Sequence, residues 1–420
     1  MTMINRLTIK HALVASSILA AVFAHQAMAA GFQINEMSAS LQGQALAGAG
    51  ATTNDPSAMA YNPATLATVK GNQVQLGGSY LVPSISYNNA TADHVPGGES
   101  GISAENSISP AALLPTGYAA TTLPYGIHAG LAVNVPWGLS TKYNPNWAGN
   151  ADAINSSVET VDIAPTLAYQ IDKYVAVGAA LHAQYASVDY SQNLLVDDIL
   201  LIPSNLTGNS WGYGYSLGVL LTPIEGTNVG ISYRSKITQD IKGTANETVL
   251  GTPVPIPANA DITMPEVINI ALSQQITSKL TGLATAQWTR WDRMQAITVY
   301  NSSNGTLLQN NTLDWKNSWM FSLGADYQLT DQWVLKSGVA MDQTPTQDLY
   351  RDARIPDSNR YWFTVGAGYT PVKNITLNMA YEHIFMMPQS IDVNTTPGYN
   401  LTADYHGSAD IFAGSVNWTF

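Results

Sequence analysis

The chain ends in DIFAGSVNWTF, residues 410–420. Phe412, Gly414, Val416, Trp418 and Phe420 fall on one phase. Ala413, Ser415, Asn417 and Thr419 fall on the other. A period of two is the signature of a β-strand, whose successive side chains point to opposite faces. A soluble antiparallel edge strand would read the same way, so the rest of the chain decides what kind of sheet this strand closes.

The period recurs. Val161, Ile163, Pro165, Leu167, Tyr169 and Ile171 alternate with Asp162, Ala164, Thr166, Ala168 and Gln170. Trp211, Tyr213, Tyr215, Leu217, Val219 and Leu221 alternate with small residues, as do Trp319, Phe321, Leu323, Ala325, Tyr327 and Leu329. Tyr361, Phe363, Val365, Ala367 and Tyr369 repeat the pattern. One face is apolar and rich in aromatics; the other is small or polar. That is the alternation of a membrane barrel, lipid outside and lumen inside. A C-terminal aromatic on an alternating strand resembles the last strand of bacterial outer-membrane barrels.

Collecting such segments predicts fourteen strands: 73–83, 103–119, 126–137, 158–171, 174–188, 211–222, 227–243, 261–276, 279–298, 314–328, 333–343, 360–370, 374–388 and 408–420. The number is even, as a bacterial barrel with both ends in the periplasm needs. Short connections such as IDK, PIEGT and PVK alternate with long ones near 84–102, 138–157, 189–210, 244–260, 299–313, 344–359 and 389–407. Asp162, Arg234, Lys236, Asp326, Lys336, Asp342 and Glu382 lie opposite the apolar phase, where charge faces the lumen. Glu266 breaks the phase, which predicts a bulge or bend near Pro265; Arg290 also breaks it and belongs at the rim.

Composition agrees. Only 11% of the 420 residues are charged, against about a quarter in soluble domains, while Trp and Tyr number 10 and 21. Much of the surface therefore does not meet water, and disorder is excluded. A net charge of −12 argues against nucleic acid, which needs a basic face. The chain has no Cys, so it has no disulfide or thiolate metal site. No segment after the N-terminus is long and apolar enough for a membrane helix, and a membrane protein without helices must be a closed barrel.

The N-terminus has a basic start at Arg6 and Lys10, an apolar run from Ala12 to Ala24 and an A-x-A site at Ala27–Ala29. It predicts a signal peptide, residues 1–29, removed on export. Residues 30–72 follow, rich in Gly, Ala, Ser and Asn. They are too many for an idle tail and few for a domain of their own. Residues 73–420 form the barrel.

The opening AGFQINE (30–36), NDPSA (54–58) and the Asn62-Pro63-Ala64 triplet resemble the N-terminal hatch of the FadL/TodX family of outer-membrane channels. PWGLSTKY (136–143), GNSWGYGYSLGVL (208–220), ISYRSKI (231–237), TMPE (263–266) and IPDSNRYWFTVGAGY (355–369) extend the resemblance over the whole mature chain. It implies an all-β fold: a transmembrane antiparallel barrel of about fourteen strands, its lumen plugged by the hatch. It also implies passive uptake of long-chain fatty acids or other hydrophobic compounds. In that family apolar outer loops capture the ligand, which binds beside the mature N-terminus and leaves sideways through a gap at a kink in the third strand.

Mapped onto this chain, Phe32 matches the position beside the pocket, and Asn62, Pro63 and Ala64 mark the core of the hatch. Pro136 and Gly138 end the predicted third strand, where proline removes a ladder donor and glycine loosens the strand. Leu194, Leu195, Ile199, Leu200 and Leu201 make segment 194–203 apolar for an outer loop, as a capture surface requires. The positions where the best-known family members carry basic residues for the ligand carboxylate fall on Gln192 and Asn310. Neither can neutralise a carboxylate, so a neutral hydrocarbon or other amphiphile fits as well as a fatty acid.

The sequence carries no HExxH or P-loop and no nucleophile elbow, since its two G-x-S-x-G spellings, 208–212 and 214–218, fall within one alternating strand, and it predicts no catalytic residue, metal or cofactor. His128 and His182 read as lumen polar residues. A barrel lipid hydrolase and a water-filled porin for polar solutes are the alternatives. A closed barrel has no free edge to pair, which predicts a monomer bathed in outer-membrane lipid.

Overall fold

The computed structural model describes residues 31–93, 101–196, 200–249, 252–394 and 399–420. Twenty strand segments form one antiparallel sheet. They make fourteen barrel strands, because six of the fourteen are broken in two. The first strand, Gln73–Asp93, pairs with the last, Asn400–Thr419, through Gln73↔Thr419, Leu76↔Val416 and Ser79↔Ala413. That pairing closes the barrel and removes the sheet edge.

The two phases settle as the alternation requires. Phe412, Val416 and Trp418 are exposed on the outer wall, while Ala413 and Ser415 are buried within. Leu167 and Leu181 are 57% and 67% exposed, whereas Ala164, Thr166 and His182 are buried. Apolar side chains exposed in this way along most wall strands cover a surface that lipid, not water, contacts. Among the described residues no helix is long and apolar enough to cross a membrane.

Several expectations shift. The second strand starts at Ala112, not 103, because Pro110 cannot donate to a ladder. Residues 189–196 with 200–210, and 244–249 with 252–260, are not loops: they are the arms of long hairpins, paired up to Val196↔Leu200 and Val249↔Thr252. The chain bends at Pro265–Glu266, between Met264 and Val267, as Glu266 foretold. Glu266 is held there by Arg293 at 2.6 Å. Arg290 lies just past the end of a strand at Thr289, paired with Asp292 at 3.0 Å. Lys236 is exposed at a second break, after Arg234, instead of facing the lumen.

Residues 31–69 lie inside the barrel and nearly all are buried. They form a helix, Ala39–Gln42, and three short 3-10 turns. Two of these turns start alike. Asp55 caps Pro56–Ala60 by accepting from the Ser57 amide, and Asn62 caps Pro63–Thr68 by accepting from the Ala64 amide. An Asx cap followed by proline at the first helical position needs no donor that proline lacks. This is why D-P-S and N-P-A recur in so short a span.

The wall makes room for this segment with glycine. A Cβ on Gly230 would lie 1.8 Å from the Gly50 carbonyl oxygen, and one on Gly218 would lie 1.9 Å from Asn62 Oδ1. No other residue permits backbone and segment to approach so closely.

Candidate functional site

Asn62 is fully buried and spends its whole amide. Its Nδ2 donates to the Gly50 carbonyl at 2.8 Å and to the Val219 carbonyl at 3.0 Å; its Oδ1 accepts from the Ala64 amide. It thus ties two turns of the inner segment to the sixth strand, Leu200–Ile224. Ser232 Oγ donates to the Tyr61 carbonyl at 2.6 Å, and Lys336 Nζ to the Ser40 carbonyl at 2.6 Å. Pro63 and Ala64 pack against Gly178, on the fifth strand, Val175–Val196.

The third strand runs Ile127–Asn134 and resumes at Gly138–Lys142. Its pairing with the second strand stops at Gly117↔Val133. Beyond the break it pairs only with the fourth strand, from Gly138↔Glu159 to Lys142↔Asn155. Ala112–Thr116 of the second strand therefore have no ladder partner on that side. Higher up, the Lys142 amide donates to the Ile108 carbonyl at 2.7 Å and bounds the opening. Pro136 sits in the break.

The backbone of the break is satisfied from inside. The Ile34 amide donates to the Pro136 carbonyl at 2.9 Å, and the Gly138 amide to the Phe32 carbonyl at 2.8 Å. Thr160 Oγ1 donates to the Trp137 carbonyl at 2.6 Å. The N-terminal segment takes the place the second strand has left and pairs backbone groups of the break.

Phe32 is 2% exposed. Its ring meets Trp291 at 5.0 Å, Trp315 at 5.6 Å and Trp137 at 6.0 Å between centroids, edge-on or tilted. Such aromatic contacts are favourable beyond the area they bury. Above this cage the apolar interior continues through Tyr87, Tyr143, Trp147 and Tyr405, with Tyr143 stacked on Trp147 at 4.1 Å.

Leu194, Leu195, Leu200 and Leu201 lie on the tip of the hairpin formed by the fifth and sixth strands. Leu195 and Leu201, paired with each other, pack against that interior; Leu200 is exposed. Ile199 lies outside the described residues.

Gln192 and Asn310 are not brought together. Asn310 is exposed and accepts from Thr298 at 2.8 Å, while its neighbour Gln309 donates to Gln192 Oε1 at 3.2 Å. Gln192 Oε1 also accepts from Arg354. Arg354 is buried, lies over the Tyr190 ring at 5.5 Å and donates to Ser156 Oγ at 3.3 Å. A cation thus stands beside Gln192 after all, supplied by segment 344–359. Asp152, in the loop before the fourth strand, accepts from the Ala353 amide at 3.1 Å. Burial, then repulsion by Asp352, pushes its carboxyl from 3.8 up to about 7, with Arg354 opposing.

One further constellation spans four neighbouring strands on the lumen face. His182 Nδ1 lies 2.7 Å from Asp162 Oδ2, and His182 Nε2 lies 2.7 Å from Ser216 Oγ. Arg234 donates to the same Asp162 oxygen at 3.1 Å. Sequence reasoning put Asp162, His182 and Arg234 on the lumen phase without joining them to Ser216. Their shared parity on consecutive strands was the available signal. Beside them is a cavity of about 40 Å³ lined by Ser216, Arg234, Pro136, Trp137, Gln33 and Tyr61, among others.

A family model described as "Outer membrane protein transport protein (OMPP1/FadL/TodX)" matches residues 20–420. The long-chain fatty acid transport protein of Escherichia coli (strain K12) is 24% identical, over 97% of this chain and 98% of that one. The 47 kDa outer membrane protein of Pasteurella multocida is 27% identical, over 95% and 96%. Among solved structures, a Pseudomonas aeruginosa FadL homologue superposes with a TM-score of 0.85 at 25% identity, covering 93% of this chain and all of that one. The Ralstonia pickettii toluene transporter TbuX superposes with a TM-score of 0.70 at 18% identity, over 92% and 100%, and shares the fold.

Proposed function

The chain belongs to the OMPP1/FadL/TodX family of outer-membrane transport proteins, and on that premise we propose that it is a passive uptake channel for long-chain fatty acids or other hydrophobic compounds. One observation carries the reading: the N-terminal segment, not the second strand, satisfies the backbone of the broken third strand. A hatch built this way is also the seal of a side door. When Phe32–Ile34 withdraw, the opening beside Pro136 connects the lumen to the membrane.

The proposed path starts at the hairpin tip around Leu195 and Leu201, where burying apolar ligand surface at about 25 cal/mol per Å² drives capture. It continues to the aromatic cage that Phe32 now fills, and leaves between the second and third strands. Release into lipid costs little, since the membrane interior is equally apolar. Residues 30–72 act as the hatch, held by Asn62. Residues 1–29 are removed on export. The channel works as a monomer among outer-membrane lipids and needs no cofactor. Arg354 is the cation that lets Gln192 serve a carboxylate head, which favours fatty acids over neutral hydrocarbons.

The Ser216–His182–Asp162 order favours one second reading, a hydrolase acting on lipid esters. The charge arrangement weakens it: Arg234 draws on the same Asp162 oxygen that would stabilise a protonated His182. Ester hydrolysis by the purified protein separates the two.

Uptake of radiolabelled oleate by cells lacking their own fatty-acid channel tests the main reading. Uptake above empty cells is expected, with small ion conductance in planar bilayers because the hatch fills the lumen. Large steady currents without oleate uptake would instead mark a porin.

A further inference from the structure

The 40 Å³ cavity beside the opening sets Arg234, Gln33, Ser216 and Asn269 among apolar walls, polar groups that a path for greasy molecules does not need. It holds about one water or one carboxyl-sized group, and not an acyl chain. Its walls come from three sources: Pro136 and Trp137 of the break, Gln33 and Tyr61 of the N-terminal segment, and Ser216 and Arg234 of the barrel.

Arg234 is the group with chemistry to offer. A guanidinium has five N–H donors. Among the described residues Arg234 makes one hydrogen bond, to Asp162 at 3.1 Å, and its side chain keeps 11% exposure although it faces the lumen. Its side chain lines the cavity. Asp162 balances the charge of Arg234, so the pair carries little net charge. The planar fork still matches a carboxylate. Weak net attraction with a specific hydrogen-bond geometry suits a station that must bind and then let go.

We propose that Arg234, framed by Ser216 and Trp137, is a head-group station for the carboxylate of a long-chain amphiphile on its way out through the opening at Pro136. The head rests in the cavity while the chain lies in the gap. A hydrocarbon has no group to place there, so the station sorts ligands by head and not by chain. This rests on the channel reading above. It adds a second polar contact to the path, separate from Arg354 and Gln192.

The test compares oleate with 8-heptadecene, the same chain without its carboxylate, taken up together by cells. The Asp162→Asn/Arg234→Gln double variant removes both charges at once and leaves no buried ion unpaired. The ratio of oleate to heptadecene uptake is expected to fall about ten-fold, as losing one charge-assisted hydrogen bond would give. Arg234→Lys, which keeps the charge but not the fork, lowers the ratio less. Because both ligands pass through the same molecules, the amount of folded protein cancels. An unchanged ratio in the double variant overturns the station and leaves the channel reading intact. If the intact protein takes up neither compound above empty cells, the channel reading fails and the station with it.

Discussion

The Gly138 amide donates to the Phe32 carbonyl at 2.8 Å. This bond joins the second residue of the described chain to the point where the third strand resumes. It couples the N-terminal segment to the broken third strand: Phe32 cannot leave without exposing the backbone of the break.

Phe32→Ala removes the ring from between Trp137, Trp291 and Trp315. A large-to-small change at a site this buried costs about 3–5 kcal/mol. The unfolding midpoint in detergent should drop, and tryptophan emission should shift to the red as water reaches the cage. An unshifted spectrum would show that the three indoles close up without Phe32.

Asn62→Ala removes three hydrogen bonds and leaves the Gly50 and Val219 carbonyls short of a donor. Each such loss costs about 1–3 kcal/mol in a buried setting. The inner segment should loosen, and cells should become more sensitive to bulky antibiotics and detergent. Unchanged sensitivity would mean that the Asn-Pro-Ala turn only packs.

Gly230→Ala places a methyl group where the Gly50 carbonyl lies. Backbone meets backbone, so relief requires the inner segment to move. The same antibiotic sensitivity should rise, without any polar group being removed. Wild-type resistance in this variant would show that the wall yields instead.

Asp152 gives a pH dependence. Its folded-state carboxyl is raised from 3.8 to about 7, so the folded protein holds a proton that the unfolded chain releases. The resulting stability is present at low pH and is lost as pH rises toward about 7, by up to about 1.4 kcal/mol per pH unit. The unfolding midpoint in detergent should fall over that range, an extra pH dependence on top of that of the other groups. Asp152→Asn should flatten the extra term; an identical profile in the variant would place the titration elsewhere.

Parity made much of the fold readable. Each wall strand carries its own record of which face meets lipid, so the strand number and the lumen position of Asp162, Glu382 and Asp342 could be read without any partner. The bend at Glu266 showed as a phase error. Strand ends could not be read this way, because the long hairpins rise past the membrane and lose their apolar phase while keeping their ladders, as at Asp189–Val196. Contacts between distant segments were also hidden. Nothing local to Gln192 announces Arg354, 162 residues away. Nothing local to Ser216 announces His182 on the next strand. The Asn-Pro-Ala turn was recognisable, but its bond to Val219 depends on a register that only the closed barrel sets.

The opening at the third strand is the proposed exit for ligand. Pro136→Ala with Gly138→Val restores a ladder donor and stiffens the break, so oleate uptake by cells carrying this variant is the most direct measurement. With the barrel still folded by its heat-modifiable migration, uptake should fall close to that of cells without the protein. Uptake equal to that of the intact protein would contradict lateral exit.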